Sequence, residues 1–274
     1  MSVLVTGASG TVGGATARLL EGRVPIVSAG RRVQALPSSM PGVRLDYDDP
    51  STFPAALRGV STIYLICPPA DPDAGSRLLP FIDAAADAGV EHIVVNSAPI
   101  AGLDKDFSLS LVERAVEQSG CHWTHLRSQW YASSLTTGVF APLTASGDLA
   151  LPLGSGRIAF VDPGNVAAVA AAVLREPGEH RGRVHDITGP EALDGPRLAQ
   201  VLSDHGSPVR YRDVSDEEFL AWCRAVLGVP SGVAEFVLVL LAAARAGHTA
   251  STTGTIKALT GRPATSLGEF LAAR

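Results

Sequence analysis

Three evenly spaced glycines near the start of the chain, Gly7, Gly10 and Gly13, are the residues whose spacing points most directly to chemistry. The apolar run Val3–Val5 precedes them, and a segment with amphipathic helical spacing follows. The first glycine permits a tight turn, the second lets backbone amides approach a ligand, and the third lets the helix lie close to the strand. A helix N-terminus also attracts anions. The pattern GxxGxxG therefore predicts a turn that holds the diphosphate of a dinucleotide, with a plain βα turn as the alternative. The expected contacts are Gly7, Ser9, Gly10, Thr11 and Val12.

Two arginines follow the second strand-like run. Arg31 and Arg32 come directly after Ala29-Gly30, where a dinucleotide-binding fold places the adenosine ribose. An acidic side chain at this point binds the ribose 2′-hydroxyl, whereas arginine suits a 2′-phosphate. The sequence therefore favours NADPH over NADH. Two solvated surface arginines are the alternative.

An acidic segment follows the third strand-like run. Asp46 could accept a hydrogen bond from the adenine amino group, with Tyr47 beside it. Helix capping is assigned to Asp48 or Asp49, and capping is also the alternative role for Asp46.

Two further strand ends carry residues that could face the nicotinamide half. Cys67 and Pro68 follow the fourth strand with Pro69, and the prolines fix the loop. Cys67 is expected to be a buried structural thiol rather than a nucleophile, because no base partner is evident. Ser97 ends the fifth strand, where its hydroxyl could contact the nicotinamide ribose or polarise a substrate carbonyl, or serve as a turn residue.

An aromatic pair shortly after the sixth strand is a candidate for the substrate pocket. Trp130 and Tyr131 could form a pocket wall, and the Tyr131 hydroxyl could donate to a substrate oxygen. Ordinary packing is an equal alternative. No metal-ligand spacing is found: His122 and His125 fall on opposite faces of one strand.

Alternating strand and helix patterns must position these residues. Apolar runs at 25–27, 43–45, 63–66, 92–95 and 123–126 alternate with helical segments, two of which stop at Gly89 and Gly120. Such alternation predicts an α/β fold, a Rossmann-type doubly wound parallel sheet. Residues 138–156 are expected to be irregular, residues 157–161 to form a strand, and the last third to be mainly helical. The expected organisation is a nucleotide-binding domain over 1–135 with parts of 157–190, and a smaller helical C-terminal cap over 136–274, structurally continuous with it.

Composition narrows the class of protein. The 274 residues are 46% hydrophobic and 18% charged, with a net charge of −5, which argues against a general nucleic-acid surface. Three widely spaced cysteines indicate reduced thiols and a cytoplasmic protein. The longest apolar stretch, from Val233 to Ala244, is interrupted by Glu235 and is too short to span a membrane. A small-molecule substrate is expected; a homodimer is left open.

With these pieces assembled, the chain resembles the NmrA-like group of atypical short-chain dehydrogenase/reductases, a group that includes NADPH:quinone oxidoreductases and triphenylmethane reductases. The resemblance covers nearly the full length. The residues that carry it are Thr6–Gly13, Arg31, Asp46-Tyr47, Ser97, Ser119-Gly120, Trp123-Thr124, Leu126-Arg127, Trp130-Tyr131, Pro230–Gly232, Thr260–Pro263 and Thr265–Leu267.

The resemblance implies an NADP(H)-dependent reductase that transfers hydride to a quinone or to a conjugated carbonyl or imine. The helix after the fifth strand departs from ordinary short-chain reductases, because Leu109–Glu113 contains neither the tyrosine nor the lysine of their YxxxK pair. A quinone can take its proton from water or a nearby hydroxyl, so reduction stays open. Two alternatives remain: a non-catalytic NADP-binding redox sensor, and a tailoring reductase of secondary metabolism.

Overall fold

The computed structural model describes residues 2–36, 39–68, 71–227 and 231–274. Its strands are β1 Ser2–Val5, β2 Ile26–Gly30, β3 Gly42–Arg44, β4 Val60–Ile66, β5 His92–Ser97, β6 His122–Ser128, β7 Asp148–Leu151, β8 Arg183–Ile187 and β9 Arg210–Asp213. Its α-helices are α1 Thr11–Leu20, α2 Phe53–Ala56, α3 Ala74–Asp87, α4 Ser108–Gln118, α5 Ala141–Ser146, α6 Pro163–Arg175, α7 Gly195–Asp204, α8 Asp216–Trp222, α9 Ser231–Arg245, α10 Thr255–Thr260 and α11 Leu267–Ala272.

The main sheet has seven strands in the order β3-β2-β1-β4-β5-β6-β8. The pairings that join β1 through β6 are all parallel. The chain runs outward from β1 to β3 on one side and from β4 onward on the other, so the strand order reverses between β1 and β4. Ligands of doubly wound sheets bind at such a reversal, beyond the carboxyl ends of the strands. The predicted Rossmann-type fold is therefore confirmed.

The chain divides into two compact units. Unit 1 contains residues 1–127, 164–186 and 258–261, and unit 2 contains residues 128–163, 187–257 and 262–274. In unit 1 the central strands are buried on both faces because they are almost wholly apolar, as β4 shows with its run of buried residues. The expected helices are present: α3 and α4 end just before Gly89 and Gly120.

Unit 2 is built around its own core and a two-stranded parallel sheet. The strands β7 and β9 pair from Asp148↔Arg210 to Leu151↔Asp213, and helices α5, α7, α8 and α9 contribute buried apolar residues to this core. Two expectations were wrong here. The segment 138–156 contains α5 and β7 rather than irregular chain, and residues 157–161 make only isolated bridges at Ile158 and Val161.

The second error has a physical reason. Residues 158–161 are apolar because all four are buried, with Ile158 and Phe160 in the core of unit 2, and burial alone produces the pattern that a strand would also show.

Within the described part of the chain, no helix is long and apolar enough to cross a membrane.

Candidate functional site

The turn between β1 and α1 is shaped by two glycines. Gly7 has φ of 58°, a left-handed conformation that glycine adopts without strain. A Cβ on Gly13 would overlap the Gly7 carbonyl group, lying 2.8 Å from its carbon and 3.0 Å from Ile66 Cδ1. Helix α1 therefore approaches the turn to a distance that only glycine allows.

The N-terminus of α1 suits an anion. Its N-cap, Gly10, is extended and has no side chain that could cap the helix, so the first-turn amides have no side-chain acceptor. Ser9, Gly10 and Thr11 are exposed, whereas Val12 is buried. Uncapped backbone amides at a glycine-rich turn fit a diphosphate. Among the described residues, no group of three or more metal-binding side chains is present.

The Thr6 hydroxyl fixes the turn to the sheet. It donates to the Tyr64 carbonyl oxygen at 3.1 Å and accepts from the Ile66 N–H at 2.8 Å, and Thr6 is 1% exposed. These two bonds join the end of β1 to β4 at the reversal of strand order. Tyr64 also donates from its hydroxyl to Asn96 Oδ1 at 3.1 Å, which ties β4 to β5.

Arg31 and Arg32 lie beside this turn. A Cβ on Gly30, the last residue of β2, would lie 3.8 Å from Ser9 Oγ, so the end of β2 is next to the glycine turn. Both arginines are exposed, and neither has an ion-pair or hydrogen-bond partner from its side chain within residues 2–36, 39–68, 71–227 and 231–274. Two unneutralised guanidinium groups at this edge suit a phosphate.

Asp46 is held in place by its neighbours. Its carboxylate accepts from the Asp48 N–H at 3.3 Å and from Arg44 Nη2 at 3.5 Å. Capping of the following turn belongs to Asp49, whose carboxylate accepts from the Ser51 N–H at 3.3 Å. The Asp46 carboxylate is thus fixed just after β3, and its contact with adenine stays a prediction.

Tyr47 is half-buried, but its hydroxyl is fully buried and has no hydrogen-bond partner in the part of the chain that the structure describes. Its ring lies 5.4 Å from that of Phe81, and burial raises the pKa of the phenol above its usual value. The hydroxyl therefore points into unit 1, and any adenine contact would use the ring or the main chain.

Cys67 and Pro68 are half-buried at the end of β4, and Pro69 lies outside the described residues. Burial raises the pKa of the Cys67 thiol to about 12, with further contributions from the carboxylates of Glu113 and Asp71. Such a thiol stays protonated at neutral pH and is a poor nucleophile. Ser97, 4% exposed, ends β5 at the same edge of the sheet.

In unit 2, Trp130 and Tyr131 have different surroundings. The Trp130 ring packs at 5.1 Å from Phe140, against the core of this unit. The Tyr131 hydroxyl accepts a hydrogen bond from Ser128 Oγ at 3.1 Å. Trp130 is thus largely a packing residue, while Tyr131 keeps a polar environment at its hydroxyl.

A buried ion pair joins α4 to β6, and it was not predicted from the sequence. Arg127 Nε and Nη2 donate to the two carboxylate oxygens of Glu113 at 3.0 and 2.6 Å. The guanidinium lies so close to Gly102 that a Cβ there would be 3.0 Å from its Cζ. Glu113 stands on α4, in the helix that carries the Tyr–Lys pair of ordinary short-chain reductases.

A spacing in the sequence could have revealed this pair. Glu113 and Glu117 are four residues apart on α4, and His125 and Arg127 are two apart on β6. Each set therefore lies on one face of its element. The structure joins them as Glu113–Arg127 and Glu117–His125, the latter at 3.0 Å.

The chain is similar to known proteins over most of its length. The model of the NmrA-like family matches residues 1–245. The NAD(P)H azoreductase of Xenophilus azovorans is 32% identical over 98% of this chain and 96% of its own length. Two solved structures are similar over 100% of this chain and 99% of theirs, each at 27% identity. They are the NADPH-dependent quinone oxidoreductase of Escherichia coli complexed with NADPH, with a TM-score of 0.87, and the Citrobacter sp. triphenylmethane reductase complexed with NADP(H), with a TM-score of 0.84.

Proposed function

Because the chain belongs to the NmrA-like family, we propose that it is an NADPH-dependent reductase that transfers hydride to an electron-poor acceptor such as a quinone, an azo compound or a conjugated carbonyl or imine. The observation that carries the proposal is the glycine turn before α1, where Gly13 leaves room for no side chain and the helix N-terminus has no side-chain cap. The relatives named for NAD(P)H-dependent reduction support the same activity.

Different residues around the turn are proposed to bind different parts of the cofactor. Gly7, Ser9, Gly10, Thr11 and Val12 hold the diphosphate through backbone amides. Arg31 and Arg32 bind the 2′-phosphate, which gives NADPH an advantage over NADH. Asp46 and Tyr47 border the adenine, and Cys67, Pro68 and Ser97 border the nicotinamide half. The bound cofactor supplies a hydride from its reduced nicotinamide ring.

The chain's contribution to the reaction is orientation and proton supply. Holding donor and acceptor in one geometry converts a bimolecular step into one that is effectively unimolecular. Ser97 and Tyr131 are the hydroxyls proposed to polarise the acceptor, and Trp130 with Tyr131 borders it. The raised pKa of Cys67 keeps that thiol protonated, so the residue does not compete as a nucleophile.

The division of labour in the chain is also a proposal. Residues 1–135 with parts of 157–190 would bind the nucleotide, and residues 136–274 would supply most of the acceptor site. The three cysteines are unpaired thiols in the described structure, which supports a reducing compartment such as the cytoplasm.

A calorimetric titration followed by a turnover assay tests the proposal. We expect NADPH to bind more tightly than NADH, and NADPH oxidation to depend on an acceptor from a panel of quinones, azo dyes and triphenylmethane dyes. The variant Gly13→Ala should lose cofactor binding, whereas Gly178→Ala, where a Cβ meets nothing within 4 Å, should bind like the wild type. Equal binding by both variants would show that the turn does not hold the cofactor.

The second candidate is a redox sensor that binds NADP(H) without turning over a substrate. The absence of the Tyr–Lys pair from α4 favours the sensor. The buried acidic residue on that helix, Glu113, does not replace the pair, because its carboxylate is bound to Arg127. Tight binding of NADPH with no oxidation by any acceptor would select the sensor over the reductase.

A further inference from the structure

The end of β6 brings together two hydroxyl groups, those of Ser128 and Tyr131. Ser128 Oγ donates to the Tyr131 hydroxyl oxygen at 3.1 Å. Ser128 is 6% exposed, and Tyr131 is half-buried directly before the short 3₁₀ helix Ala132–Leu135. In register, Ser97 pairs with Arg127, so β6 ends one residue beyond the end of β5 at the ligand-binding edge of the sheet.

The main chain around this pair is fixed on both sides. Tyr131 forms a parallel bridge with Val161, whose N–H donates to the Trp130 carbonyl oxygen at 2.9 Å and whose carbonyl accepts from the Ala132 N–H at 2.8 Å. The Gln129 N–H donates to the Ile187 carbonyl oxygen at 2.9 Å. These main-chain hydrogen bonds hold the segment that carries Ser128 and Tyr131. The contact between the two side chains therefore needs no reorganisation of a loop.

The direction of the hydrogen bond determines what Tyr131 can do. A phenol oxygen that accepts a hydrogen bond gains a better stabilised phenolate, which makes the phenol a stronger acid. Because the bond from Ser128 occupies a lone pair of that oxygen, the phenol's own O–H points away from Ser128. The pair thus has the arrangement of a proton donor and the group that orients it.

We propose that Tyr131 is the proton donor of the reduction and that Ser128 is a positioning residue that orients and acidifies it. The assignment rests on the proposed reductase activity. For an azo acceptor, one N–H bond would form with the hydride that the bound cofactor supplies, as the N=N π bond breaks. The Tyr131 O–H bond then breaks as its proton forms the second N–H bond. The phenolate regains a proton from water.

A pair of acceptors with different proton requirements tests this. A cationic triphenylmethane dye becomes neutral on gaining hydride alone, whereas an azo compound needs a hydride and a proton. We expect Ser128→Ala and Tyr131→Phe to lower azo turnover relative to dye turnover by about tenfold or more, since positioned general acids contribute about 10²–10⁴-fold. Ser128→Thr, which keeps the hydroxyl, should restore the wild-type ratio.

The matched control is Ser134→Ala. The Ser134 hydroxyl donates to the main-chain carbonyl oxygen of Tyr131 at 2.7 Å and therefore touches the same residue without touching its phenol. This variant should keep the wild-type ratio of azo to dye turnover. NADPH affinity and near-ultraviolet circular dichroism, measured for every variant, report whether the fold is retained.

The pH profile of azo turnover gives a second readout. A general acid must be protonated, so the rate falls above its pKa. Ser128→Ala should move this alkaline limb to higher pH, Ser128→Thr should return it, and Tyr131→Phe should remove it.

The outcomes separate the two proposals. Equal losses with both acceptors, or an unmoved alkaline limb in Ser128→Ala, would overturn the roles of Ser128 and Tyr131 and leave the reductase intact. A wild-type protein that binds NADPH but reduces neither acceptor would overturn the reductase, and this assignment with it.

Discussion

Acid should destabilise the protein through a buried histidine at the start of β5. His92 is 2% exposed, and its Nε2 lies 2.9 Å from Thr124 Oγ1. The Thr124 hydroxyl donates its own proton to the His180 carbonyl oxygen at 2.6 Å, so its oxygen must accept from His92 Nε2–H. His92 Nδ1 is then the unprotonated nitrogen, and it is buried without a hydrogen-bond partner in the described residues. Burial lowers the His92 pKa to about 4, helped by nearby His122, Arg181 and His180.

The magnitude follows from the two pKa values. The folded chain holds His92 neutral down to about pH 4, whereas the unfolded chain takes up the proton near the ordinary value of 6.5. The contribution of the neutral His92 ring to the unfolding free energy is therefore fully present above pH 6.5. It is lost as the pH falls from there towards about 4. One pKa unit is about 1.4 kcal/mol, so the loss attributable to this ring is about 3 kcal/mol.

Urea unfolding at about pH 7.5 and about pH 4 measures this loss. The fall in unfolding free energy should be about 3 kcal/mol smaller in His92→Gln than in the wild type, because glutamine takes up no proton. His248→Gln, a substitution of an exposed histidine, should follow the wild type. The contributions of other buried histidines cancel in the comparison. The reasoning is refuted if His92→Gln loses as much stability between the two pH values as the wild type does.

Three further predictions concern single side chains. Arg31→Ala should weaken NADPH binding, measured by calorimetry, by about tenfold more than NADH binding, since a charge-assisted bond to the 2′-phosphate contributes about 1.5–3 kcal/mol; equal weakening would contradict the assignment. Arg127→Met should lower the unfolding free energy in urea by about 3–5 kcal/mol, because it leaves Glu113 buried and unpaired, and adding Glu113→Leu should recover most of that loss; strict additivity would count against the pair as a unit. Thr6→Val should lower the same quantity by about 1–3 kcal/mol, because the Ile66 N–H loses its acceptor, and an unchanged denaturation midpoint would disprove that role.

The fold of unit 1 could be predicted because its signals are local. The spacing of Gly7, Gly10 and Gly13 and the alternation of apolar runs with helical segments follow from contacts between neighbouring elements, and the structure confirms the fold that they imply. The roles given to Arg31 and Ser97 remain predictions, since they depend on a ligand.

Unit 2 was harder to predict because its pairings are distant and its strands are short. Strand β9 reads Arg-Tyr-Arg-Asp and becomes a strand through pairing with β7, more than fifty residues earlier in the chain. The Glu113–Arg127 pair likewise depends on how α4 packs over β6. The matched spacing of the charges on α4 and β6 indicates which residues could pair, but neither element alone encodes the packing that joins them.

The order in which the chain visits its two units bears on synthesis by the ribosome. The buried apolar cluster of unit 1 runs from Leu4 to Val116, so it can condense while later residues are still being added. The corresponding cluster of unit 2 runs from Ala132 to Leu267 and stays unfinished until Leu267 has been added. A nascent or stalled polypeptide would therefore expose the apolar residues of the incomplete unit 2 core. We expect chaperones to bind to these residues.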